Sequence, residues 1–147
     1  MNYKSVIVTG FLLVGGIVNS NAQDIDTKDV PAAVKTAFKS TYSKATDVDW
    51  ELKGSNYEVD FDLARVDHKA TYTSAGKLIS LEKDISNNQL PAAVLKSIKA
   101  KYPNGKIDGA NWISTAGKIS YKVDIDGTPD VNVWYEATGK FIKEVAD

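Results

Sequence analysis

The chain contains the same segment twice, and this repeat restricts the fold more than any other feature of the sequence. The motif Val-Pro-Ala-Ala-Val at 30–34 recurs as Leu-Pro-Ala-Ala-Val at 90–94, sixty residues later. Further matches follow in the same order: Trp50 with Trp112, 57–62 with 121–126, Tyr72 with Tyr135, and 76–77 with 139–140. The offset changes from 60 to 62 and 64 residues and then to 63. These changes predict that the insertions lie in loops between matching elements.

Each copy is predicted to begin with a helix. Proline suits the first helical turn, where its missing N–H would be unpaired anyway, and the alanines after it have high helix propensity. Apolar residues then recur at spacings of three and four, which places them on one buried face. They are Val34, Ala37, Phe38 and Tyr42 in the first copy and Val94, Ile98 and Tyr102 in the second.

After each helix the apolar spacing changes to two, which is typical of strands with one buried face. The predicted inward residues are Val48, Trp50, Leu52, Tyr57, Val59, Phe61 and Leu63, and then Ile119, Tyr121, Val123 and Ile125. Because Trp50 and Trp112 recur, both are assigned to the core. Third strands near 69–73 and 131–135 and fourth strands near 77–83 and 140–145 complete the copies. In the fourth strands the alternation is too weak to assign faces.

These elements predict an α+β fold, a tandem repeat of a helix followed by a three- to four-stranded antiparallel meander. Both helices are expected on one face of the sheet, and the other face is expected to be open to solvent. The repeats span 23–86 and 87–147. Since about 60 residues alone leave much apolar surface uncovered, we expect the two repeats to form one cooperative body.

The first 22 residues have the features of a signal peptide. Lys4 precedes an apolar stretch from Val6 to Val18, and small residues at Ser20 and Ala22 suit cleavage between Ala22 and Gln23. The stretch is interrupted by glycines and is shorter than the roughly 20 residues that span a bilayer. We therefore predict a periplasmic or secreted protein without a membrane span in the mature chain.

The repeat layout resembles the PepSY-like, beta-lactamase-inhibitor-like family of exported bacterial proteins. The residues that carry this resemblance are the Val30-Pro31 and Leu90-Pro91 helix starts, Trp50 and Trp112, and the Gly-Lys turns at 76–77 and 139–140. The resemblance covers nearly all of 25–147. It implies binding to an enzyme through the open sheet face and its loops, and it assigns no inhibitory residue to a position of this chain.

Composition disfavours catalysis and nucleic-acid binding. The chain has no cysteine and a single histidine, His68, so thiol chemistry is excluded and any triad would depend on that residue. His68 could act as a general base oriented by Asp67, or it could be a solvated hairpin residue, and we favour the second interpretation. The formal net charge of −1 and the absence of a basic cluster argue against nucleic acid. We expect neither an enzyme nor a bound cofactor.

Acidic residues recur in both copies and raise the question of a metal site. They are Asp60, Asp62 and Asp67 in the first copy and Asp124, Asp126 and Asp130 in the second. Calcium prefers carboxylates on a short flexible loop. However, the alternation places these pairs on the wet face of a strand, and no bidentate glutamate follows at the required spacing. The interpretation as strand and turn residues is preferred, and no metal site is predicted.

Trp134 is the most informative candidate for binding. If Val131, Val133 and Tyr135 point inward, Trp134 points outward and corresponds to Thr71 of the first copy. A large aromatic on a polar sheet face is typical of an interface anchor, although strand twist could instead tuck it under a loop. Lys122 and Asp124 of the adjacent strand are predicted to complete the surface.

The resulting hypothesis is an exported, non-catalytic, inhibitor-like module that binds a protein or peptide of the cell envelope through its open sheet face. The alternative is a structural or storage protein that binds a small ligand or a cation. The sequence leaves the target and the oligomeric state open.

Overall fold

The computed structural model describes residues 22–147. The predicted signal peptide, residues 1–22, lies outside the described residues apart from Ala22. The helices of the described part are α1 (Ala32–Thr41) and α2 (Ala92–Lys101). Its strands are β1 (Gln23–Ile25), β2 (Thr46–Lys53), β3 (Asn56–Leu63), β4 (Val66–Thr73), β5 (Leu78–Asp84), β6 (Lys106–Thr115), β7 (Lys118–Asp126), β8 (Val131–Glu136) and β9 (Phe141–Ala146).

The nine strands found within residues 22–147 form one antiparallel sheet in chain order, from β1 at one edge to β9 at the other. The two repeats therefore share a continuous sheet, and they meet where β5 pairs with β6. This arrangement confirms the predicted α+β class and the helix-plus-meander repeat. Each repeat contributes a helix and four strands in the described part of the chain, and β1 is an additional strand that was not predicted.

Both helices lie on the same face of the sheet, as predicted. Residues that pair directly across antiparallel strands share a face. Such pairs connect Phe61, beneath α1, with His68, Lys83, Trp112 and Tyr121, beside α2. We call this face the helix face and the opposite one the open face.

Each helix covers a separate apolar cluster, and the residues predicted for its buried face are in it. The first cluster is built from Val30, Val34, Phe38, Trp50, Val59, Phe61, Ala70 and Tyr72. The second is built from Leu90, Val94, Ile98, Ala110, Val123, Ile125, Val133 and Tyr135. The seam between β5 and β6 lies between the two clusters, so the sheet joins two cores.

The strand β5 serves both repeats. Its last residues pair with β6 at Lys83 and Asp84, and the Ile85 N–H donates to the Ala110 carbonyl. Gln23–Ile25 pairs with β2 in the matching way, sixty residues earlier. The strand β1 could not be predicted from the sequence, because three residues are too few to show an alternation.

Pairing corrects one match of the repeat, because Trp112 is not the structural counterpart of Trp50. Trp50 pairs with Val59, whereas Ala110 pairs with the matching Val123. Trp112 therefore occupies the position of Leu52. The offset remains 60 through β6, and the β6–β7 hairpin then adds four residues as two extra pairs.

This shift changes the environment of Trp112. Trp50 is 4% exposed and packs edge-on against Phe38, with the ring centroids 5.4 Å apart. Trp112 lies on the helix face but is only half-buried, outside both clusters, with the Lys83 ammonium 5.2 Å from its ring centroid. The core assignment is confirmed for Trp50 and wrong for Trp112, which lies at the seam.

The repeated Gly-Lys turns have a packing role. Gly76 and Gly139 adopt positive φ angles of 82° and 83°. A Cβ atom on Gly76 would lie 2.6 Å from the Ala33 carbonyl oxygen, and one on Gly139 would meet the Ala93 carbonyl oxygen in the same way. Each glycine thus lets the last hairpin of its repeat contact the first turn of the helix.

Candidate binding surface

The open face is crossed by rows of paired side chains. One row runs along Asp60, Lys69, Glu82, Ile113 and Ser120, and the next contains Asn111, Lys122, Trp134 and Lys143. The face is therefore polar and charged along most of its length. The two halves of the face differ in how many of their polar side chains form ion pairs or hydrogen bonds with each other.

In the first-repeat half of the open face, charged side chains form an ionic cluster around Glu58. The alternation along β3 places this carboxylate on the face expected to be open to solvent, but it is only 7% exposed because Lys53 and Lys69 cover it. Lys53 donates to it, and the Lys69 ammonium lies 3.0 Å from its Oε1 atom and 3.4 Å from Asp60. Burial alone would raise the pKa of Glu58, but the hydrogen bonds and charges of the two lysines outweigh burial and lower it.

The second-repeat half presents Trp134. Its neighbours Val133 and Tyr135 are buried on the helix face, so Trp134 stands on the open face as predicted, where it is half-buried. It pairs with Lys122 on one side and with Lys143 on the other. The Lys143 ammonium lies 4.3 Å from the ring centroid, within the range of a cation–π contact.

The structure brings together the three residues predicted for this surface. Lys122 is directly opposite Trp134, and its ammonium lies 3.0 Å from Oδ1 of Asp124. Asp124 is two positions along β7 and shares the face. Lys122 and Asp124 therefore neutralise each other beside the indole ring.

Sequence reasoning missed two members of this surface, Lys143 and Val145. Val145 is 49% exposed and lies diagonal to Trp134, within reach of a large side chain. A comparison of the two repeats at matched positions could have identified them. An offset of 63 matches Lys143 with Ser80 and Val145 with Glu82, so both depart from their counterparts.

Matched positions show why the second half has no ionic cluster of this kind. The counterparts of Lys53, Glu58, Lys69 and Thr71 are, in that order, Ile113, Lys122, Asn132 and Trp134. Four residues that satisfy each other in the first repeat are thus exchanged for an aliphatic side chain, one cation, an amide and an indole. We call the group Ile113, Lys122, Trp134, Lys143 and Val145 the tryptophan surface.

His68 is not arranged as a general base beside Asp67. It belongs to β4 instead of a loop, and it stacks on Phe61 with the ring centroids 5.2 Å apart. Its Nδ1 atom lies 2.7 Å from the Val66 carbonyl oxygen. Asp67 pairs with Asp62 and therefore points to the opposite face of the sheet.

Of the repeated carboxylates, Asp60 and Asp124 each line one of two equivalent clefts at the bulges of β2 and β6. A cleft of about 530 Å³ is lined by Asp24, Ile25, Asp26, Asp49, Trp50, Glu51 and Asp60. Its counterpart of about 380 Å³ includes Asp84, Asp108 and Asp124. Among residues 22–147, no three His, Cys, Asp or Glu side chains are placed close enough to hold a metal ion.

A separate groove of about 330 Å³ runs beside α1 on the helix face. Phe38, Tyr42 and Trp50 contribute its aromatic wall, and Lys35 and Lys39 are at its rim. Burial raises the pKa of Tyr42. The groove can therefore offer an apolar wall and two cations to a small molecule.

Comparisons with solved structures show the fold. A Bacteroides eggerthii protein described as periplasmic has a TM-score of 0.74 and 17% identity over 80% of this chain and 88% of its own. A DUF2874 family protein from Bacteroides uniformis has a TM-score of 0.71 and 22% identity over 79% and 88%. A BLIP-like protein from Bacteroides fragilis has a TM-score of 0.66 and 22% identity over 79% and 86%. No curated protein sequence matches the chain.

The described residues, 22–147, include no helix that is long and apolar enough to span a membrane. The family model described as beta-lactamase-inhibitor-like and PepSY-like matches residues 17–80 and again 69–143. The two matches overlap at 69–80 and together extend over residues 17–143. The chain therefore belongs to the beta-lactamase-inhibitor-like, PepSY-like family.

Proposed function

We propose that the chain is an exported, non-catalytic binding module that engages a protein or peptide of the cell envelope through its tryptophan surface. The observation that carries this proposal is the exchange of Thr71 for Trp134 at matched positions of the two repeats. An aromatic side chain on a polar face, flanked by lysines, is the composition typical of an interface anchor.

The inhibitor-like family supports a protein partner, and the BLIP-like neighbour has the same fold. The residue types available support a role without catalysis. The sequence has no cysteine, and its one histidine is stacked against Phe61 and separated from Asp67 by the sheet. These residues therefore provide neither an activated thiol nucleophile nor a histidine paired with Asp67.

Export to the periplasm is part of the proposal. The apolar segment before Ala22 and the periplasmic description of a structural neighbour support it. We expect the mature protein recovered from an envelope fraction to begin at Gln23, at the start of β1. Intact mass spectrometry checks this expectation, and a retained Met1 in that fraction would contradict it.

Photo-crosslinking tests the binding surface. A photoreactive residue at Asn132, which lies on the open face next to Trp134, should give a discrete crosslinked product in cells that export the protein. Trp134→Ala should weaken that product, since loss of an anchor lowers affinity by about 30-fold. It should cost only about 1 kcal/mol of the free energy of unfolding, because Trp134 is half-buried and outside both apolar clusters.

Two matched variants control this experiment. Thr71→Ala changes the equivalent position of the first repeat and should leave the crosslink intact. A photoreactive residue at Lys39 probes the groove beside α1 and should give no equivalent product. Equal crosslinking from Lys39, or a product that does not respond to Trp134→Ala, would show that the tryptophan surface is not the binding site.

The groove beside α1 favours a second candidate, the binding of a small amphipathic anion. Its apolar wall and the lysines at its rim suit an aromatic or aliphatic group that carries a negative charge. Titration with anilinonaphthalene sulfonate tests this function. Saturable binding that is lost in Lys35→Ala with Lys39→Ala, and retained in Lys96→Ala with Lys99→Ala on α2, would support the groove over the tryptophan surface.

A further inference from the structure

The edge strand β9 differs from the edge at the other end of the sheet. Within residues 22–147, β9 pairs with β8 alone, and all six of its residues are exposed. Phe141, Ile142 and Val145 are large apolar side chains on this edge. The opposite edge, β1, has only three residues, which is too short to offer a comparable template.

The outward main-chain groups of β9 can be assigned from its pairing. The Asp147 N–H donates to the Asp130 carbonyl at 3.0 Å. In an antiparallel pair the hydrogen-bonding direction alternates, so the groups of Lys143 and Val145 also point toward β8. The N–H and carbonyl groups of Glu144 and Ala146 therefore point away from the sheet.

The first repeat shows that an edge of this kind accepts a strand. With an offset of 63 residues, β9 is the counterpart of β5. The corresponding edge of β5 is occupied by β6, which pairs antiparallel from Ser80 with Thr115 to Asp84 with Asn111. The edge of β5 that corresponds to the free edge of β9 is therefore already paired with a strand, β6.

We propose that an extended segment of the protein partner adds to β9 as an antiparallel tenth strand. This inference rests on the proposed function, because it specifies how the same partner continues beyond the tryptophan surface. Main-chain hydrogen bonds to Glu144 and Ala146 would hold the segment, as in other complexes formed by strand addition. Its side chains on the open face would lie beside Lys143 and Val145.

Charge and apolarity on β9 define the segment. Lys143 has no carboxylate within ion-pair distance among the described residues, so an acidic residue suits the position opposite it. An apolar residue two positions away would lie opposite Val145. Glu144 needs no cation from the partner, because Lys101 forms an ion pair with it at 2.6 Å and Tyr102 also donates to it.

A second copy of this chain fits the edge poorly. If two copies of β9 paired antiparallel about a two-fold axis, the axis would pass through one residue, and that residue would lie opposite its own copy. The pairing is longest when this central residue is Lys143 or Glu144. The register centred on Lys143 sets two ammonium groups side by side, which destabilises strand pairing. The register centred on Glu144 sets two carboxylates side by side, each of which already has Lys101 as its partner. A segment of a different protein avoids this repulsion.

Nuclear magnetic resonance titration tests the proposal with a capped heptapeptide, Thr-Val-Thr-Glu-Thr-Val-Thr. Its alternation places Val, Glu and Val on one face. In the isotope-labelled chain of residues 23–147, we expect amide shift changes confined to β9, β8 and the Trp134 indole. A peptide with Lys in place of Glu should bind about fivefold more weakly, and Lys143→Glu should reverse that preference.

Variants at one position isolate the main-chain hydrogen bond. Ala146→Pro removes an outward N–H without removing a hydrogen bond to β8, so it should abolish the shift changes at β9. Ala146→Val keeps the N–H and should retain them. Both variants are to be checked for an unchanged unfolding midpoint, and shifts that survive Ala146→Pro would overturn the proposal.

Two further outcomes also decide against it. Absence of shift changes at β9 at millimolar peptide would remove the strand-addition site while leaving the crosslinking result at Asn132 to judge the proposed function separately. Sedimentation that shows a dimer of the chain, lost in Ala146→Pro, would assign the edge to a second copy.

Discussion

The two repeats have the same backbone plan but use it differently. The first buries an aromatic cluster, in which Phe38 lies 5.4 Å from Trp50 and 5.0 Å from Phe61 between ring centroids, and it closes its open face with the ions around Glu58. The second buries smaller aliphatic residues such as Ala110 and exposes Trp134. The first repeat thus uses more of its side chains for packing and ion pairing, and the second exposes an aromatic side chain on the open face.

Separating the repeats is the most severe way to break this comparison. Fragments 23–86 and 87–147 each retain one core but lose the pairing between β5 and β6. We expect neither fragment to unfold with a sharp transition, because a single repeat of about 60 residues buries little surface. Circular dichroism during thermal unfolding measures this. Two fragments with cooperative transitions near that of the whole chain would show that the repeats fold independently.

The two tryptophans on the helix face should differ strongly in their contribution to stability. Trp50→Ala removes a ring packed against Phe38 and should cost about 3–5 kcal/mol of the free energy of unfolding. Trp112→Ala removes a half-buried ring at the seam and should cost about 1 kcal/mol. Urea denaturation of both variants gives the difference. Equal costs would place Trp112 in the core after all.

Alanine at the repeated glycines separates backbone strain from steric contact. Gly76→Ala and Gly139→Ala combine a positive φ angle with a clash against the helix start, and each should cost more than about 2 kcal/mol. Gly54 and Gly117 also have positive φ angles, but a methyl group added there would meet open space. Gly54→Ala and Gly117→Ala should therefore each cost about 1 kcal/mol of the free energy of unfolding. Similar costs at all four positions would exclude a role for the helix contact.

The ionic cluster predicts a pH dependence of opposite sign for two carboxylates of the open face. The pKa of Glu58 is lowered in the fold, so its contribution to stability is present above the ordinary glutamate value of about 4.3 and is lost as the pH falls through the lowered value. Glu58→Gln should therefore destabilise the protein by about 1 kcal/mol at neutral pH and less in acid.

Glu82 serves as the matched control on the same face. Burial raises its pKa, so ionisation at neutral pH weakens the folded state. Glu82→Gln should increase the free energy of unfolding at pH 7, and the gain should shrink as the pH falls to where Glu82 is protonated. Denaturation curves of both variants from pH 3 to pH 8 measure the two trends. Parallel trends would mean that the two carboxylates have similar surroundings.

Local patterns predicted most of this architecture. The helices, the meanders, the open face and the outward position of Trp134 follow from periodicity, because one face of each element must be buried. The burial of Glu58 does not follow from such a pattern. Its burial depends on Lys53 and Lys69 from two other strands, and alternation along β3 contains no information about cross-strand partners.

The error at Trp112 has a physical cause as well. A shift of two residues keeps a strand side chain on the same face, so the hydrophobic pattern cannot detect it. Only the pairing of Ala110 with Val123 shows that Trp112 corresponds to Leu52. The missed residues Lys143 and Val145 lie on an edge strand, where exposure on both faces weakens the alternation.

The four extra residues of the β6–β7 hairpin imply a parity rule for how such sheets can change length. Two residues were gained on each side of the turn, and this even step preserved the inside and outside of both strands. A single residue added to one strand, without a bulge or a longer turn to absorb it, would have turned Val123 and Ile125 outward. Where relatives of this chain lengthen a hairpin and keep its two-residue turn, the added residues should therefore be shared equally between the two strands.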